Sequence, residues 1–382
     1  MKTLQIGMGW FPEQAGGLNR VFYDCIRHLP EAGVEIQGLV AGSSNVASDS
    51  RSQVQAFAPT QSPLWQRWRG VQQSVRQLLA EENYPLIVSH FAVYTLPILD
   101  RLIQRPMVMH FHGPWALESS VAGNKNITTR LKKLLEQAVY QRATDFIVLS
   151  KAFRDILHQE YGAPFERIHI VPGGVDTERF ETILSRTEAR AILDWPQDRP
   201  IIFAVRRLAR RMGLENLISA VEKVRTHHPE VLLLIAGKGS LRSTLQAQID
   251  ELGLGDHVRL LGYIPDQNLV QAYRAANFSV VPTVALEGFG LIVIESLAAG
   301  TPVLGTPIGG IPEILRPFSK DLVFEGVSTE QLAQGIEEVL SGHRQLPSSQ
   351  ACKAYVQEHY AWPVIAQQIK TVYQTALDGK IR

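Results

Sequence analysis

The feature of this sequence that most restricts its fold is an alternation of apolar strand patterns and amphipathic helix patterns in both halves of the chain. In the first half, the apolar run 3–8 is followed by a helical stripe over 18–29 and a second apolar run over 34–40. The second half restarts the same order with an apolar run over 201–205. Such alternation is typical of parallel sheets that are covered by helices on both faces.

We therefore predict an α/β fold with two doubly wound Rossmann-like domains, residues 1–180 and residues 181–361, that face each other across a cleft. The polar stretch 178–198 is the predicted hinge. The last helix, at about residues 362–382, is a candidate for packing back on the first domain. The crevice between two such domains is the default ligand site.

Composition argues against several classes of protein. The net charge is +1, so no strong field attracts nucleic acid, and we expect no nucleic-acid partner. No run of about 18 apolar residues occurs, which a membrane-spanning helix needs. Cys25 and Cys352 fit no metal or redox spacing, and lone thiols are typical of a reducing compartment. We expect a cytoplasmic protein, and we leave open a peripheral contact at the inner face of the cell membrane.

Two glutamates mark the first candidate site. Glu287 precedes a Gly-Phe-Gly segment, and a predicted helix over 291–299 carries Glu295 near its start. Backbone amides over 288–291 are free to bind an anion at a helix N-terminus. Carboxylates accept hydrogen bonds from hydroxyl groups. The segment therefore predicts a site for a phosphate-bearing sugar. A solvated glutamate, followed by one that stabilises the helix dipole, is the alternative.

Glycines and histidines mark the candidate site of the first half. Gly16 and Gly17 come just before the first helix, where backbone without side chains can approach a ligand closely; a plain tight turn is the alternative. A dinucleotide fingerprint fails because Pro12 occupies its third glycine position and no acidic residue closes the next strand. His112 ends a predicted strand, at the edge where ligands bind in open α/β sheets, and His110 is expected in the interior.

An arginine-rich loop follows the first strand of the second half and comprises Arg206, Arg207, Arg210 and Arg211. Guanidinium groups bind phosphate, so the loop is a predicted anion clamp, with a solvated basic loop as the alternative. The chain contains no Asp-x-Asp motif. We therefore expect arginines and a helix N-terminus, rather than a metal ion, to bind the phosphate groups of a ligand. No metal and no cofactor is predicted.

The segment 59–80 has no acidic residue, and it carries two tryptophans and three arginines: Trp65, Trp68, Arg67, Arg69 and Arg76. A basic helix with tryptophans is compatible with an anionic membrane surface or an acidic acceptor. A helix packed on the core with a solvated basic face is the alternative.

Taken in order, these motifs resemble the family 4 glycosyltransferases, retaining enzymes of the GT-B fold, of the type that assembles bacterial polysaccharides. The segment from Glu287 to Glu295 matches the E-x7-E signature of that family and continues into 299–303 and 309–313. The other matching motifs follow the order of the family along nearly the whole chain: Gly16-Gly17, His112-Gly113, 172–176, 206–208, 237–239 and 360–362.

The resemblance implies roles for the matching residues. Gly16 and Gly17 would approach the donor diphosphate, and Arg207 would bind it. His112 would contact the donor sugar near its reacting carbon, and Glu287 would hold sugar hydroxyls. The resemblance also implies that Glu295 would bind the ribose hydroxyls and that Tyr263 and Ile264 would lie beside the base. The remaining implied donor contacts are the backbone amides of Phe289, Gly290 and Leu291 and the loops at Gly237 and Arg211.

Two positions depart from the pattern of the family. Met212 stands where the family usually has a lysine, which leaves open whether Arg211 supplies the missing charge. Gly173 stands where the family usually has an asparagine, so a side-chain contact is absent there.

The resemblance implies a metal-independent, retaining hexosyltransferase. It would move a hexose-type sugar from a nucleotide diphosphate sugar, with UDP expected ahead of GDP, to a hydroxyl of a glycan or lipid-linked acceptor. Exopolysaccharide or cell-envelope glycan synthesis is the expected setting. Two alternatives stay open: a sugar-nucleotide epimerase of the same fold, and a non-catalytic protein that binds nucleotide sugars.

Overall fold

The computed structural model describes residues 1–114 and 127–379, and the chain divides into two compact units. The first unit comprises Met1–Gly174 together with the chain from Trp362 onward, and the second comprises Val175–Ala361. Among the described residues, no helix is both long enough and apolar enough to cross a membrane.

A seven-stranded parallel sheet forms the centre of the first unit. Its strands are β1 (Lys2–Gly9), β2 (Glu35–Ala41), β3 (Val54–Ala58), β4 (Leu86–Ser89), β5 (Met107–Phe111), β6 (Asp145–Val148) and β7 (Ile168–Ile170). They lie in the order β3-β2-β1-β4-β5-β6-β7. Central strand β1 is buried along most of its length because helices cover both faces, and Leu4 and Ile6 are fully buried.

The described part of the segment before Gly174 contains six α-helices. They are α1 (Gly17–His28), α2 (Asn45–Asp49), α3 (Leu64–Glu81), α4 (Ala92–Thr95), α5 (Ile127–Tyr140) and α6 (Lys151–Tyr161). Helix α1 buries Val21, Phe22, Cys25 and Ile26 on one stripe, which is the apolar periodicity visible in the sequence.

The second unit has a five-stranded parallel sheet. Its strands are β8 (Ile201–Val205), β9 (Leu232–Ala236), β10 (Val258–Gly262), β11 (Phe278–Val281) and β12 (Val303–Gly305), in the order β10-β9-β8-β11-β12. The strand order reverses beside β8, so the loops after β8 and β11 come from adjacent strands. In open α/β sheets, ligands bind at such a carboxyl edge.

Nine helices of the second unit lie within the part of the chain that the structure describes. They are α7 (Thr177–Phe180), α8 (Arg186–Leu193), α9 (Leu214–Val224), α10 (Arg242–Glu251), α11 (Asp266–Ala275), α12 (Leu291–Ala298), α13 (Ile311–Phe318), α14 (Thr329–Leu340) and α15 (Ser349–His359). Helix α12 begins at the predicted residue.

The last helix, α16 (Trp362–Asp378), belongs to the first unit. The Trp362 ring stacks on His28 of α1, with centroids 5.2 Å apart and planes inclined by 7°. Tyr373 is fully buried, and its hydroxyl lies 2.8 Å from Nε2 of His110 on β5. The C-terminal helix therefore completes the core of the first unit.

The division of the chain lies before the predicted boundary at residue 180, and the stretch 178–198, where a hinge is predicted, lies within the second unit. The division falls after Gly174, because Phe180 is fully buried in the second unit with its ring centroid 6.3 Å from that of Tyr273. Further along, Arg190 of α8 is 4% exposed and donates to the carbonyl of Ala275 at 2.9 Å. The polar side chains of this stretch are mostly exposed, and the buried exception, Arg190, donates to backbone carbonyls.

Candidate functional site

The loop between β11 and α12 places Glu287 next to the start of the helix. Gly290, which caps α12, has a φ of 95°, in the left-handed region that favours glycine. Gly309 packs against this loop so closely that a Cβ there would lie 1.8 Å from the carbonyl oxygen of Glu287. Close backbone packing therefore fixes the conformation of the loop that carries Glu287.

The N-terminus of α12 offers unpaired amides. The N–H of Val293 donates to the carbonyl of Gly290 at 2.8 Å. The N–H groups of Phe289, Gly290, Leu291 and Ile292 make no hydrogen bond within the described residues. Unpaired amides at the positive end of a helix dipole form an anion-binding position, as the sequence predicts here.

The Glu287 carboxylate is buried and ionised. Its side chain is 13% exposed, and Oε2 accepts a hydrogen bond from Nη2 of Arg206, whose side chain is 7% exposed. The Thr283 hydroxyl lies 3.3 Å from the same oxygen. Burial by itself would raise the pKa of Glu287, but the guanidiniums of Arg206 and Arg211 and the Thr283 hydroxyl outweigh it and hold this pKa below its ordinary value. Glu287 therefore acts as a hydrogen-bond acceptor at neutral pH.

The arginines after β8 have different environments. Arg206 pairs with Glu287, whereas Arg207, the predicted diphosphate ligand, is exposed, and its side chain makes no hydrogen bond or ion pair with any described residue. Arg211 donates from Nη1 to the carbonyl of Leu286 at 2.7 Å, which ties the arginine loop to the Glu287 loop. Met212 is 5% exposed, so no charge occupies the position of the expected lysine.

The ends of β9 and β10 carry the other predicted donor contacts of this unit. Gly237 follows β9 with a φ of 140°, and a Cβ there would lie 1.8 Å from the carbonyl oxygen of Arg206. Tyr263 follows β10 and is 53% exposed, with Nζ of Lys238 5.2 Å from the centre of its ring. Ile264 beside it is half-buried. An exposed aromatic face of this kind can pack against a planar base.

Glu295 lies on α12 and contacts Tyr273. The Tyr273 hydroxyl donates to Oε2 of Glu295 at 3.4 Å, and the Tyr273 side chain is 1% exposed. Burial and the nearby Glu295 charge raise the pKa of Tyr273 well above its ordinary value, so this hydroxyl remains a donor. The ribose contact of Glu295 stays a prediction.

In the first unit, the glycine pair faces open space. Gly16 caps α1 with a φ of 153°, and a Cβ built at Gly16 or at Gly17 would meet no atom within 4 Å. No acidic residue lies in the first turn of α1. The pair therefore leaves room for an anion in front of a helix N-terminus, which is compatible with the predicted diphosphate contact.

His112 follows β5 and belongs to a group of three histidines. Its Nε2 lies 3.1 Å from Nδ1 of His90, which follows β4. His90 is 1% exposed and His110 is 2% exposed, so His110 is interior as expected. Burial lowers the pKa of His112 to about 4 and those of His90 and His110 well below their ordinary value, because desolvation disfavours the charged imidazole. All three rings are therefore neutral at physiological pH.

Sequence patterns missed two partners in these arrangements, Arg206 with Glu287 and His90 with His112. His90 ends its strand as His112 does, and neighbouring parallel strands end at one edge, so that signal was present in the sequence. For the arginines, two adjacent residues with the same side chain give no indication of which one turns inward.

Two family models match adjacent segments of the chain. Residues 15–179 match the model described as glycosyltransferase family 4, and residues 185–359 match the model described as glycosyl transferases group 1. The chain belongs to the family 4 glycosyltransferases. The resemblance predicted from the E-x7-E segment and its accompanying motifs is thereby confirmed.

Similar proteins agree with this membership. An uncharacterised glycosyltransferase of Methanocaldococcus jannaschii is 30% identical over 237 residues, which cover 61% of this chain and 60% of that relative. Sucrose-phosphate synthase from Thermosynechococcus elongatus has a similar structure, with a TM-score of 0.81 at 23% identity over 99% of each chain. HepE of Anabaena in complex with UDP-glucose gives a TM-score of 0.79 at 20% identity, over 98% of this chain and 100% of that one. These likenesses confirm the predicted GT-B fold.

Proposed function

We propose that this family 4 chain is a retaining hexosyltransferase that moves a hexose from a nucleotide diphosphate sugar to an acceptor hydroxyl. The observation that carries the proposal is the buried, ionised Glu287 beside the unpaired amides of α12. A carboxylate accepts hydrogen bonds from sugar hydroxyls, and the amides bind a phosphate next to it. One short loop thus carries a carboxylate for the sugar part of the ligand and amides for its phosphate part.

Catalysis in this proposal is electrostatic. Breaking the bond between the sugar and the diphosphate builds negative charge on the leaving oxygen and positive charge on the sugar carbon. Arg207, Arg211 and the N-terminus of α12 are groups that stabilise such negative charge. The acceptor hydroxyl attacks from the face that the diphosphate leaves and transfers its proton to the departing phosphate oxygen. The configuration of the anomeric carbon is thereby retained.

In this proposal the transfer needs no divalent cation, because the sequence contains no Asp-x-Asp motif that would bind one, and arginines and a helix N-terminus stabilise the charge instead. Turnover is expected to persist in EDTA. Loss of turnover in EDTA, with recovery on adding Mg²⁺ or Mn²⁺, would contradict this part of the proposal. The anomeric configuration of the product, measured by NMR, tests retention separately, and an inverted anomer rules it out.

UDP-glucose or a related UDP-sugar is the proposed donor, supported by the fold shared with HepE, which was crystallised with UDP-glucose. A thermal-shift screen with UDP-, GDP- and ADP-sugars tests this choice, because a ligand that binds only the native state raises the melting temperature. Stabilisation by GDP-sugars alone would replace UDP with GDP in the proposal.

Arg207 is the sharpest test of the catalytic part. Arg207→Ala should lower kcat by about 10²–10³-fold, the range seen when one stabilising donor is removed. The side chain is exposed and has no partner among the described residues, so the fold should be unaffected. Arg259→Ala removes another exposed arginine of the same unit and should have normal turnover. Near-normal activity of Arg207→Ala would remove Arg207 from this role.

We also propose a lipid-linked acceptor at an anionic membrane surface, in envelope or exopolysaccharide synthesis. Large apolar side chains lie exposed on two helices of the first unit: Trp65 on α3 is 61% exposed, and Leu131 and Leu134 on α5 are 57% and 62% exposed. Arg69 and Arg76 of α3 are exposed as well. Basic and apolar side chains on one helix are the combination that binds anionic interfaces.

Vesicle sedimentation tests this surface. The protein should bind vesicles that contain phosphatidylglycerol, and Trp65→Ser should weaken that binding. Ile192→Ser is the matched control, since Ile192 is also 61% exposed but lies in the second unit. Equal binding by both variants would rule out the α3 surface as the contact.

Two rival functions give different products. A sugar-nucleotide epimerase would convert the donor sugar without an acceptor, and a binding protein would never release the nucleoside diphosphate. Acceptor-dependent release of UDP identifies the transferase, and conversion of the donor sugar without an acceptor identifies the epimerase.

A further inference from the structure

The side chain of His112 is connected to the interior of the first unit by a row of hydrogen bonds that no motif predicts. His90 Nδ1 lies 3.1 Å from His112 Nε2, and His90 Nε2 lies 3.1 Å from Oε1 of Gln5 on β1. Gln5 is fully buried. Because each bond in the row has one donor and one acceptor, fixing the direction of one bond fixes all the others.

The direction is set at the backbone. The Thr3 hydroxyl donates to the carbonyl of Glu35 at 3.1 Å, and a carbonyl can only accept. The Thr3 oxygen is then the acceptor for the Gln5 amide nitrogen, 3.2 Å away. This contact orients the Gln5 amide so that its oxygen faces His90. Nε2 of His90 must therefore carry the hydrogen.

The direction of the bond between His90 and His112 follows in the same way. His90 is buried and neutral, so with a hydrogen on Nε2 its Nδ1 has only a lone pair. The atom facing that lone pair, Nε2 of His112, must donate. The rings of His90 and His112 are inclined by 17° with centroids 5.3 Å apart, which suits an N–H···N bond between two ring edges. His112, neutral as well, then has a bare Nδ1, which no described residue contacts by a hydrogen bond.

His110 keeps the His90 ring in place. The two rings are stacked with centroids 4.2 Å apart and planes inclined by 23°. On its other side, His110 Nε2 lies 2.8 Å from the Tyr373 hydroxyl of α16. Rotation of the His90 ring would therefore break the stack and the bonds at both of its nitrogens.

A metal centre is the competing interpretation of these three histidines, whose ring nitrogens lie within 4.8 Å of one another. An ion lies about 2.0–2.1 Å from each nitrogen ligand. An ion beside the line between His90 Nδ1 and His112 Nε2 could reach both nitrogens, so their 3.1 Å separation fits coordination as well as hydrogen bonding. Nε2 of His90 and Nε2 of His110, however, already have Gln5 and Tyr373 as partners. Two of the ring nitrogens are thus used in hydrogen bonds, and titration with Zn²⁺ tests the metal alternative.

We propose that His90 is a positioning residue that holds His112 in its Nε2–H tautomer, so that Nδ1 of His112 accepts a hydrogen bond from a hydroxyl of the donor sugar. The tautomer follows from the first unit alone, whereas the sugar contact rests on the proposed function. His112 in this state orients a hydroxyl as an acceptor and does not supply a proton to the leaving group.

NMR of the full chain with isotope-labelled histidine tests the tautomer without any substrate. The ring nitrogen and Cδ2 shifts of His112 should report hydrogen on Nε2. Hydrogen on Nδ1 would overturn the proposal, and so would the joint shift of all three histidines on adding one equivalent of Zn²⁺.

Two substitutions then separate positioning from packing. His90→Leu and His90→Asn both lose the bond to Gln5, but the Asn amide oxygen can take the place of Nδ1 as the acceptor for His112. In His90→Leu, the His112 shifts should become a mixture of both tautomers, and kcat should fall by about 10–100-fold, the range for removal of the group that orients a histidine ligand. His90→Asn should keep the Nε2–H form and most of the activity.

Tyr373→Phe is the control, because it removes a hydroxyl that contacts His110 and the Gln5 side chain but leaves both bonds of His90 in place. A fall in kcat in His90→Leu with unchanged His112 shifts would show that His90 acts through packing alone, which contradicts the proposal. If the wild-type chain shows the Nε2–H form but never transfers sugar, the proposed function fails and the tautomer assignment stands.

Discussion

Buried titratable groups at the carboxyl edges of the two sheets differ in charge state: they are neutral in the first unit and charged in the second. In the first unit, His90 and His110 are buried without a charged partner, and desolvation keeps them neutral. In the second unit, Glu287 is buried beside Arg206, and the ion pair keeps it charged. A buried titratable group can therefore be kept neutral or charged, and its partner decides which state is stable.

The glycines of the two units also differ, in whether the packing around them leaves room for a side chain. In the second unit, Gly237 and Gly309 are required by packing, because a Cβ at either would lie 1.8 Å from a backbone oxygen. In the first unit, Gly16 and Gly17 face open space. The sequence presents all four alike, so only the structure tells which glycines the fold needs and which are available to a ligand.

The largest expected loss of stability comes from a glycine substitution in the second unit. Gly237→Ala should destabilise the fold by about 4 kcal/mol or more, because its Cβ collides with the Arg206 carbonyl and its φ of 140° disfavours a side chain. Urea denaturation measures the loss. Gly255→Ala is the control, since a Cβ there meets no atom within 4 Å. Equal stability of the two variants would refute the packing role of Gly237.

Substitutions of the two adjacent arginines should differ in their effect on the free energy of unfolding by nearly as much as the two glycine substitutions do. Arg206→Met leaves the Glu287 carboxylate buried without its cation, which costs about 3–5 kcal/mol. Arg207→Met removes an exposed side chain and should change stability by no more than about 0.5 kcal/mol. Urea denaturation of both variants measures the contrast. If both variants have the same stability as the wild type, Arg206 and Glu287 do not form an ion pair.

The third prediction uses pH. Stability rises with pH wherever the unfolded chain binds more protons than the folded one. Unfolded histidines protonate below about pH 6.5, whereas the pKa of His112 in the folded chain is lowered to about 4. The first unit should therefore lose stability as the pH falls below about 6.5, by up to about 1.4 kcal/mol per pH unit for each neutral histidine.

The second unit has a different pH window. The pKa of Glu287 is below its ordinary value, so its stabilisation is complete above the unfolded pKa of about 4.3 and is lost only as the pH falls through the lowered folded value. Hydrogen exchange measured by mass spectrometry separates peptides of the two units. Between about pH 7 and pH 5, only the first unit should lose protection through these groups. Equal protection of the first unit at both values would contradict the neutral histidines.

The smallest expected effect on stability is at the open glycine pair. Gly17→Ala should change the free energy of unfolding by no more than about 0.5 kcal/mol, because the new Cβ meets no atom. If a diphosphate approaches this backbone, the same substitution should raise the Kd for the donor. Calorimetric titration with UDP-glucose measures this affinity. An unchanged Kd would show that the glycine pair is not a donor contact.

Much of the framework was predictable because its signals are local. The apolar run over 201–205 is a strand with the predicted bounds, and α12 starts at Leu291 as expected from the glycines before it. The family and fold followed from the order of short motifs. These features depend on residues that are neighbours in the sequence, where periodicity and turn chemistry act directly.

What the sequence did not predict depends on pairs of residues that are distant along the chain. Arg190 was taken for part of a polar hinge because its acceptors, such as the Ala275 carbonyl, lie far from it in sequence. His90 was not assigned to His112 for the same reason. A polar side chain shows its type in the sequence, but its burial and its partner depend on tertiary structure.

The first and last residues of the second unit are hydrogen-bonded to each other: Val175 donates to the Tyr360 carbonyl at 2.9 Å and pairs with Ala361. The second unit is thus an insertion in the first, entered and left at neighbouring points. We therefore expect residues 175–361, and a chain in which Gly174 is joined directly to Trp362, to fold as separate polypeptides. Circular dichroism of the two shorter chains tests this expectation, and folded products would make donor binding and histidine chemistry measurable in two smaller proteins.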